Sequence, residues 1–152
     1  MVHENQFWVY DKVIPEHICD QIKKLGLSKE LAKGLTSNKT PEEHQEDGLS
    51  ELLKYRDSDL NWLDENWIYK EIEHVVHQAN KDAKWNYDWD RMEQAQFTKY
   101  GKGQYYKWHM DSTNKPFDNP EEPFIFKKIR KLSLSLLLSH PDEYKGGDFE
   151  FD

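Results

Sequence analysis

The sequence predicts a single α+β domain, and three patterns carry that reading. Trp62, Ile68, Ile72, Val75, Val76 and Ala79 recur at the helical period over about residues 59–80. Leu132, Leu134, Leu136 and Leu138 share one face of a period-two stretch in which Ser133 and Ser135 face the other way, the pattern of a half-buried strand. Between them, residues 93–100 and 104–111 read as aromatic-rich strands on either side of Gly101 and Gly103.

The remaining elements follow in chain order. Phe7-Trp-Val-Tyr-Asp-Lys-Val13 reads as an opening strand, rich in aromatic and β-branched residues. Pro15 suits the first turn of a helix, whose apolar face is Ile18, Ile22 and Leu25 and whose end falls near Gly26. Cys19 lies on or near that face as core filler. Residues 28–50 are polar, with Lys33-Gly34, Pro41 and His44-Gln-Glu46, and read as a long loop. Asp57, Ser58 or Asp59 is positioned to cap the second helix. His74 and His77 share a face of that helix and read as surface residues. Trp85-Asn-Tyr-Asp-Trp89 reads as a further strand. A loop rich in Pro and Asn (Asn114, Pro116, Asn119, Pro120, Pro123) precedes the leucine strand, and Asp148-Phe-Glu-Phe-Asp152 begins another alternating one.

Composition narrows the function classes. The chain has 152 residues, enough for a real core, and although only 36% are hydrophobic, six Trp bring large buried areas. A net charge of −8 opposes nucleic-acid binding and membrane-surface binding, both of which need a basic field. The run Lys127, Lys128, Arg130, Lys131 is a local exception that reads as a solvated strand entry. With one cysteine, no disulfide forms within the chain, which fits a reducing cytoplasm. The N-terminus lacks the basic and apolar regions of a signal peptide, and no apolar run is long enough to span a bilayer.

The chemistry concentrates at His109-Met-Asp111. On a strand, residues two apart share a face, so an imidazole and a carboxylate can meet at one point. They supply two thirds of the 2-His-1-carboxylate set of non-haem Fe(II) oxygenases. The pattern alone is weak. Seven His and fourteen Asp among 152 residues produce about 0.6 such matches by chance. The chain has two, and His140-Pro-Asp142, with Pro at its centre and Gly146-Gly147 after it, reads as turn chemistry. For His109 and Asp111, a metal pair and a plain surface pair both remain open on local pattern.

The wider block Gln96-Phe-Thr-Lys-Tyr100-Gly-Lys-Gly-Gln-Tyr-Tyr106-Lys-Trp-His109-Met-Asp111 resembles the 2-oxoglutarate- and Fe(II)-dependent oxygenases of the prolyl-4-hydroxylase-like superfamily, nearest to small microbial and phage members. The stretch Trp62…Ala79-Asn80…Trp85 is similar to the family's supporting helix. Residues 130–138, continuing through Tyr144-Lys-Gly-Gly147-Asp-Phe, are similar to its next core strand and hairpin, so the likeness covers most of the chain from about residue 55. It implies one domain over residues 1–152, a double-stranded β-helix (a cupin-like jelly roll) with supporting elements in 1–90 and its core in 91–152. It further implies that His109 and Asp111 are the first two iron ligands and that Tyr100 reaches the 2-oxoglutarate carboxylate. Tyr100 as a packing residue at a strand end is the bland alternative. The implied cosubstrates are 2-oxoglutarate and O2, with ascorbate a further cofactor common in relatives. The implied reaction is hydroxylation coupled to oxidative decarboxylation of 2-oxoglutarate to succinate and CO2, the protein orienting the parts and excluding water.

Three parts of the family pattern are unmatched. A second cosubstrate tyrosine on the following strand is replaced by Ser135-Leu136-Leu137. No late-strand histidine or subsequent basic anchor follows Asp111, since His140 lies too early. About six strands are expected here, against eight in a jelly-roll core. The sequence therefore leads one to expect the N-terminal part of a longer oxygenase, inactive by itself. The favoured substrate is a peptidyl side chain such as proline, by fold analogy. The alternatives are a small-molecule or nucleobase hydroxylase, and a non-catalytic jelly-roll module in which His109 and Asp111 are structural.

Overall fold

The computed structural model describes residues 4–34, 53–112 and 115–151. Most of the polar segment read as a loop, with His44-Gln-Glu46, lies outside the described residues. The fold is α+β. Among the described residues it has two α-helices and two antiparallel sheets: α1 (Glu16–Ser28), β1 (Ala32–Lys33), β2 (Arg56–Asp57), β3 (Asp59–Leu63), α2 (Asn66–Asp82), β4 (Ala95–Lys99) and β5 (Tyr105–Tyr106), with a 3-10 turn at Pro141–Glu143. No described helix is long and apolar enough to cross a membrane.

The chain divides into two compact units. One comprises Lys23–Leu63, Ala95–His109 and Ser139–Asp152. Its larger sheet has the order β1-β3-β4, with Asn61 opposite Phe97 and Leu60 opposite Thr98. Strand alternation therefore puts Asn61, Leu63 and Phe97 on one face and Leu60, Gln96 and Thr98 on the other. On the first face, Phe97 packs directly under Gly26 of α1, where a side chain would collide with the ring. The Asn61 amide reinforces that contact by donating to the Gly26 carbonyl at 2.7 Å. The smaller sheet pairs β2 with β5, Arg56 opposite Tyr106.

The other unit comprises Met1–Ile22, Asp64–Gln94 and Met110–Leu138. Here α2 buries Ile68, Ile72 and Val75, the face the periodicity predicted. The helix begins at Asn66 rather than near Asp59, and its N-cap is Glu65 with no side-chain cap bond. The reason is tertiary. Residues 59–63 also satisfy a strand, and pairing with the aromatic and β-branched residues of β4 decides for it. At its C-terminus α2 unwinds through Lys84, at φ +59°, in the left-handed conformation. Asn80 then clamps the following chain, donating to the Tyr87 carbonyl at 2.8 Å and accepting from the Tyr87 amide at 3.0 Å.

Several predicted strands are absent. Residues 7–13 form none. Lys12 is left-handed, and the segment is tied instead to the end of α2 through Asn5 and Tyr10, whose hydroxyl donates to Asp82 at 2.6 Å. Residues 85–89 are interrupted by Asn86, also left-handed. Residues 131–138 and 148–151 alternate as strands do but belong to neither sheet. A strand exists only through a partner's ladder of hydrogen bonds. The strand expected over residues 104–111 shrinks to Tyr105–Tyr106.

Candidate functional site

A turn at Gly101–Gln104 delivers the candidate segment. The Gln104 amide N–H donates to the Gly101 carbonyl at 3.1 Å, and Gly103 takes φ +80°, which only glycine adopts without strain. The Gln104 side chain donates to Asp57 at 3.0 Å and to Asp59 at 3.3 Å, locking the turn onto β2 and β3. β5 continues this anchorage: Tyr105 donates its hydroxyl to the Leu53 carbonyl at 2.7 Å, and the Lys107 amide donates to Tyr55 at 2.9 Å.

His109 follows, outside the strand. Its ring stacks on Tyr106, centroids 3.5 Å apart and planes 10° apart. Its Nδ1 lies 2.7 Å from the carbonyl oxygen of Lys107. A carbonyl only accepts, so Nδ1 carries the proton, and in the neutral ring the lone pair sits on Nε2. A backbone carbonyl placed this way fixes the orientation of an imidazole, whatever its other nitrogen meets.

Asp111 belongs to the other compact unit. Its carboxylate accepts from the Ser133 hydroxyl, and its backbone carbonyl accepts from Arg130 Nη1 at 2.6 Å. Arg130 is itself gripped by Glu93 through two parallel bonds, at 2.7 and 2.5 Å. The Glu93 carboxylate raises the Arg130 pKa above its ordinary value. Tyr100 directly follows β4 and is about half exposed, at 48%. Neither His109 nor Asp111 lies in a strand, so the same-face argument for the pair does not hold in this fold.

No protein-family model matches the chain, and no curated protein and no solved structure matches it. What the site can do is therefore read from its donors alone. An imidazole nitrogen and a carboxylate are suitable donors for Fe(II). Among the described residues, however, no group of three or more His, Cys, Asp or Glu side chains is placed to hold a metal ion, so a complete triad is not assembled there. His77 stacks on Trp89, and His140 accepts from the Asp142 amide at 3.3 Å at the start of the 3-10 turn, in keeping with its reading as turn chemistry.

Sequence reasoning missed the residues that position the two candidates. Tyr106 had been only part of an aromatic stretch, Arg130 part of a basic run, and Ser133 the polar side of a leucine strand. The one available signal was the alternation that separates Ser133 from the leucines. It marks Ser133 as facing away from them but not what it meets.

Proposed function

We propose that this chain contributes to an Fe(II)- and 2-oxoglutarate-dependent oxygenase of jelly-roll architecture, with His109 and Asp111 as metal ligands and Tyr100 toward the cosubstrate. The observation that carries the reading is the 2.7 Å contact between His109 Nδ1 and the Lys107 carbonyl, the way a backbone carbonyl orients a metal-ligating imidazole. The iron, when bound with 2-oxoglutarate and O2, supplies the oxidising chemistry. The residues of this chain orient: Tyr106 and the Lys107 carbonyl hold the His109 ring, while Ser133 and Arg130 hold Asp111. The substrate favoured is a peptidyl side chain such as proline, the setting a reducing cytoplasm, and ascorbate an accessory reductant. Two protein ligands hold Fe(II) less tightly than three, so His109 and Asp111 by themselves are expected to bind it weakly.

Anaerobic Fe(II) titration with a succinate assay tests this. Weak binding that falls at least tenfold in His109→Ala is the expected result. Unchanged metal content in His109→Ala defeats the assignment, and so does succinate production that His109→Ala leaves unchanged.

A second reading has its own support. Stacking on Tyr106 and bonding to Lys107 also suit a purely structural histidine of a non-catalytic module. Under that reading His109→Ala changes stability and leaves metal content untouched.

A further inference from the structure

Tyr106 serves two neighbours with one ring. The imidazole of His109 stacks on it, centroids 3.5 Å apart and planes 10° apart. The guanidinium carbon of Arg56 lies 4.6 Å from the centre of the same ring. Register accounts for this second contact, because Arg56 and Tyr106 stand directly opposite each other where β2 pairs with β5. Arg56 is only 6% exposed. Its Nε donates to the Ser58 hydroxyl at 2.8 Å, and its Nη2 donates to Gln96 Oε1 at 2.7 Å and to Thr98 Oγ1 at 3.4 Å. Gly34 packs so closely on the same group that a Cβ there would come within 2.9 Å of Nε.

These bonds turn the guanidinium into a fixed plane. The group is rigid and flat, so holding two of its nitrogens at separate points defines its orientation. A cation near an aromatic face is attracted by the ring quadrupole, and burial strengthens that attraction. The Tyr106 ring therefore rests on a group that the sheet holds in place. His109 lies just beyond β5, and its Nδ1 meets the Lys107 carbonyl at 2.7 Å. A contact at Nδ1 fixes one atom of the imidazole, and a stacked face fixes its plane. Point and plane together set the direction of Nε2.

We propose that Arg56 is a positioning residue for His109, acting through the ring of Tyr106. Arg56 touches neither the metal nor the imidazole; it anchors the surface on which the imidazole lies. The consequence for Fe(II) rests on the reading of His109 as a metal ligand, since a ligand aimed before the ion arrives binds it more tightly. The positioning itself rests only on the three side chains and the bonds of Arg56. Lysine does not replace it: an ammonium is a point charge and lacks the planar fork that meets Ser58 and Gln96 at once.

The test starts without metal. In 1H–13C spectra at one fixed alkaline pH, the His109 ring protons, assigned by their disappearance in His109→Ala, should lie upfield in the ring current of Tyr106. Arg56→Met is expected to lose most of that displacement. It should also weaken anaerobic Fe(II) binding about tenfold, the low end for a group outside the ligand set. Ile72→Ala, a core truncation in α2, controls for lost stability and should change neither readout. Unchanged His109 ring shifts in Arg56→Met overturn the proposal, and so does an equal change in Ile72→Ala, which would mark a merely structural effect. Should Arg56→Met not fold, Arg56→Lys is expected to move the ring shifts in the same direction, and no movement there overturns the proposal. Ring shifts that move as stated, with Fe(II) binding unchanged in His109→Ala, overturn the metal assignment and support the positioning, so the two failures are distinguishable.

Discussion

The imidazole of His109 lies flat on the phenol ring of Tyr106, three residues earlier in the chain. Stacking and the Lys107 carbonyl together define both the ring plane and the protonated nitrogen. Neutral His109 is therefore expected as the Nδ1–H tautomer, which long-range 15N–1H correlation spectra report directly. An Nε2–H pattern would contradict this geometry. Tyr106→Ala removes the stacking partner, and urea denaturation should show a loss of about 1 kcal/mol or more.

Gly26 sets two effects against each other. Alanine in a helix normally gains about 0.5–1 kcal/mol over glycine. At this position the added methyl would overlap the Phe97 ring, itself only 7% exposed, and overpacking costs about 1–3 kcal/mol. The clash wins, so Gly26→Ala should lower the unfolding free energy by about 1–2 kcal/mol. A stabilised variant would mean that α1 does not lie so tightly on β4.

Lys33 sits 2.9 Å from Asp59 and 3.1 Å from Asp57. The hydrogen bond from Lys33 lowers the Asp59 pKa from its ordinary 3.8, and the bond to Asp59 raises that of Lys33 from its ordinary 10.5. The signs give a window. The Asp59 contribution to stability is present above pH 3.8 and lost as pH falls through the lower folded value. The Lys33 contribution is present below pH 10.5 and lost as pH rises through the higher folded value. Carboxyl 13C titration should place the Asp59 midpoint below 3.8, and Lys33→Met should move it upward. A midpoint unmoved by that substitution would show that the pair is not formed.

Lys84 ends α2 at φ +59°, where a side chain is strained and glycine is not. Its ion pair with Glu4, at 3.5 Å between exposed side chains, contributes little. Lys84→Gly should accordingly stabilise the protein by a few tenths to about 1 kcal/mol, offset in part by the entropy of the unfolded chain. Thermal unfolding at matched pH checks it, and a destabilised variant would mean that the left-handed turn does not form.

The two helices were legible because each writes its buried face into the chain at a fixed period. Ile18, Ile22 and Leu25 mark α1, and Ile68, Ile72 and Val75 mark α2. β4 was legible too, as Phe97 and Thr98 favour extended backbone wherever they find a partner. The start of α2 was not, since residues 59–63 satisfy both periods and only pairing with β4 separates them. Neither was the candidate site. His109 and Asp111 were visible as donor types, but their neighbours Tyr106, Arg130 and Ser133 are brought by turns and side-chain bonds.

The sequence by itself determined the α+β class, the two helices, the acidic balance and the identity of the candidate ligands, because periodicity, charge and donor chemistry are local properties. Only the tertiary structure decided which alternating segments became strands, how His109 is held, and which side chains surround the buried Arg56. Those outcomes depend on hydrogen-bond partners distant in the chain: Gln96 and Thr98 reach Arg56 across forty residues and more. A residue's type states what it can bond, and the packing of the remainder decides whether that bond is made.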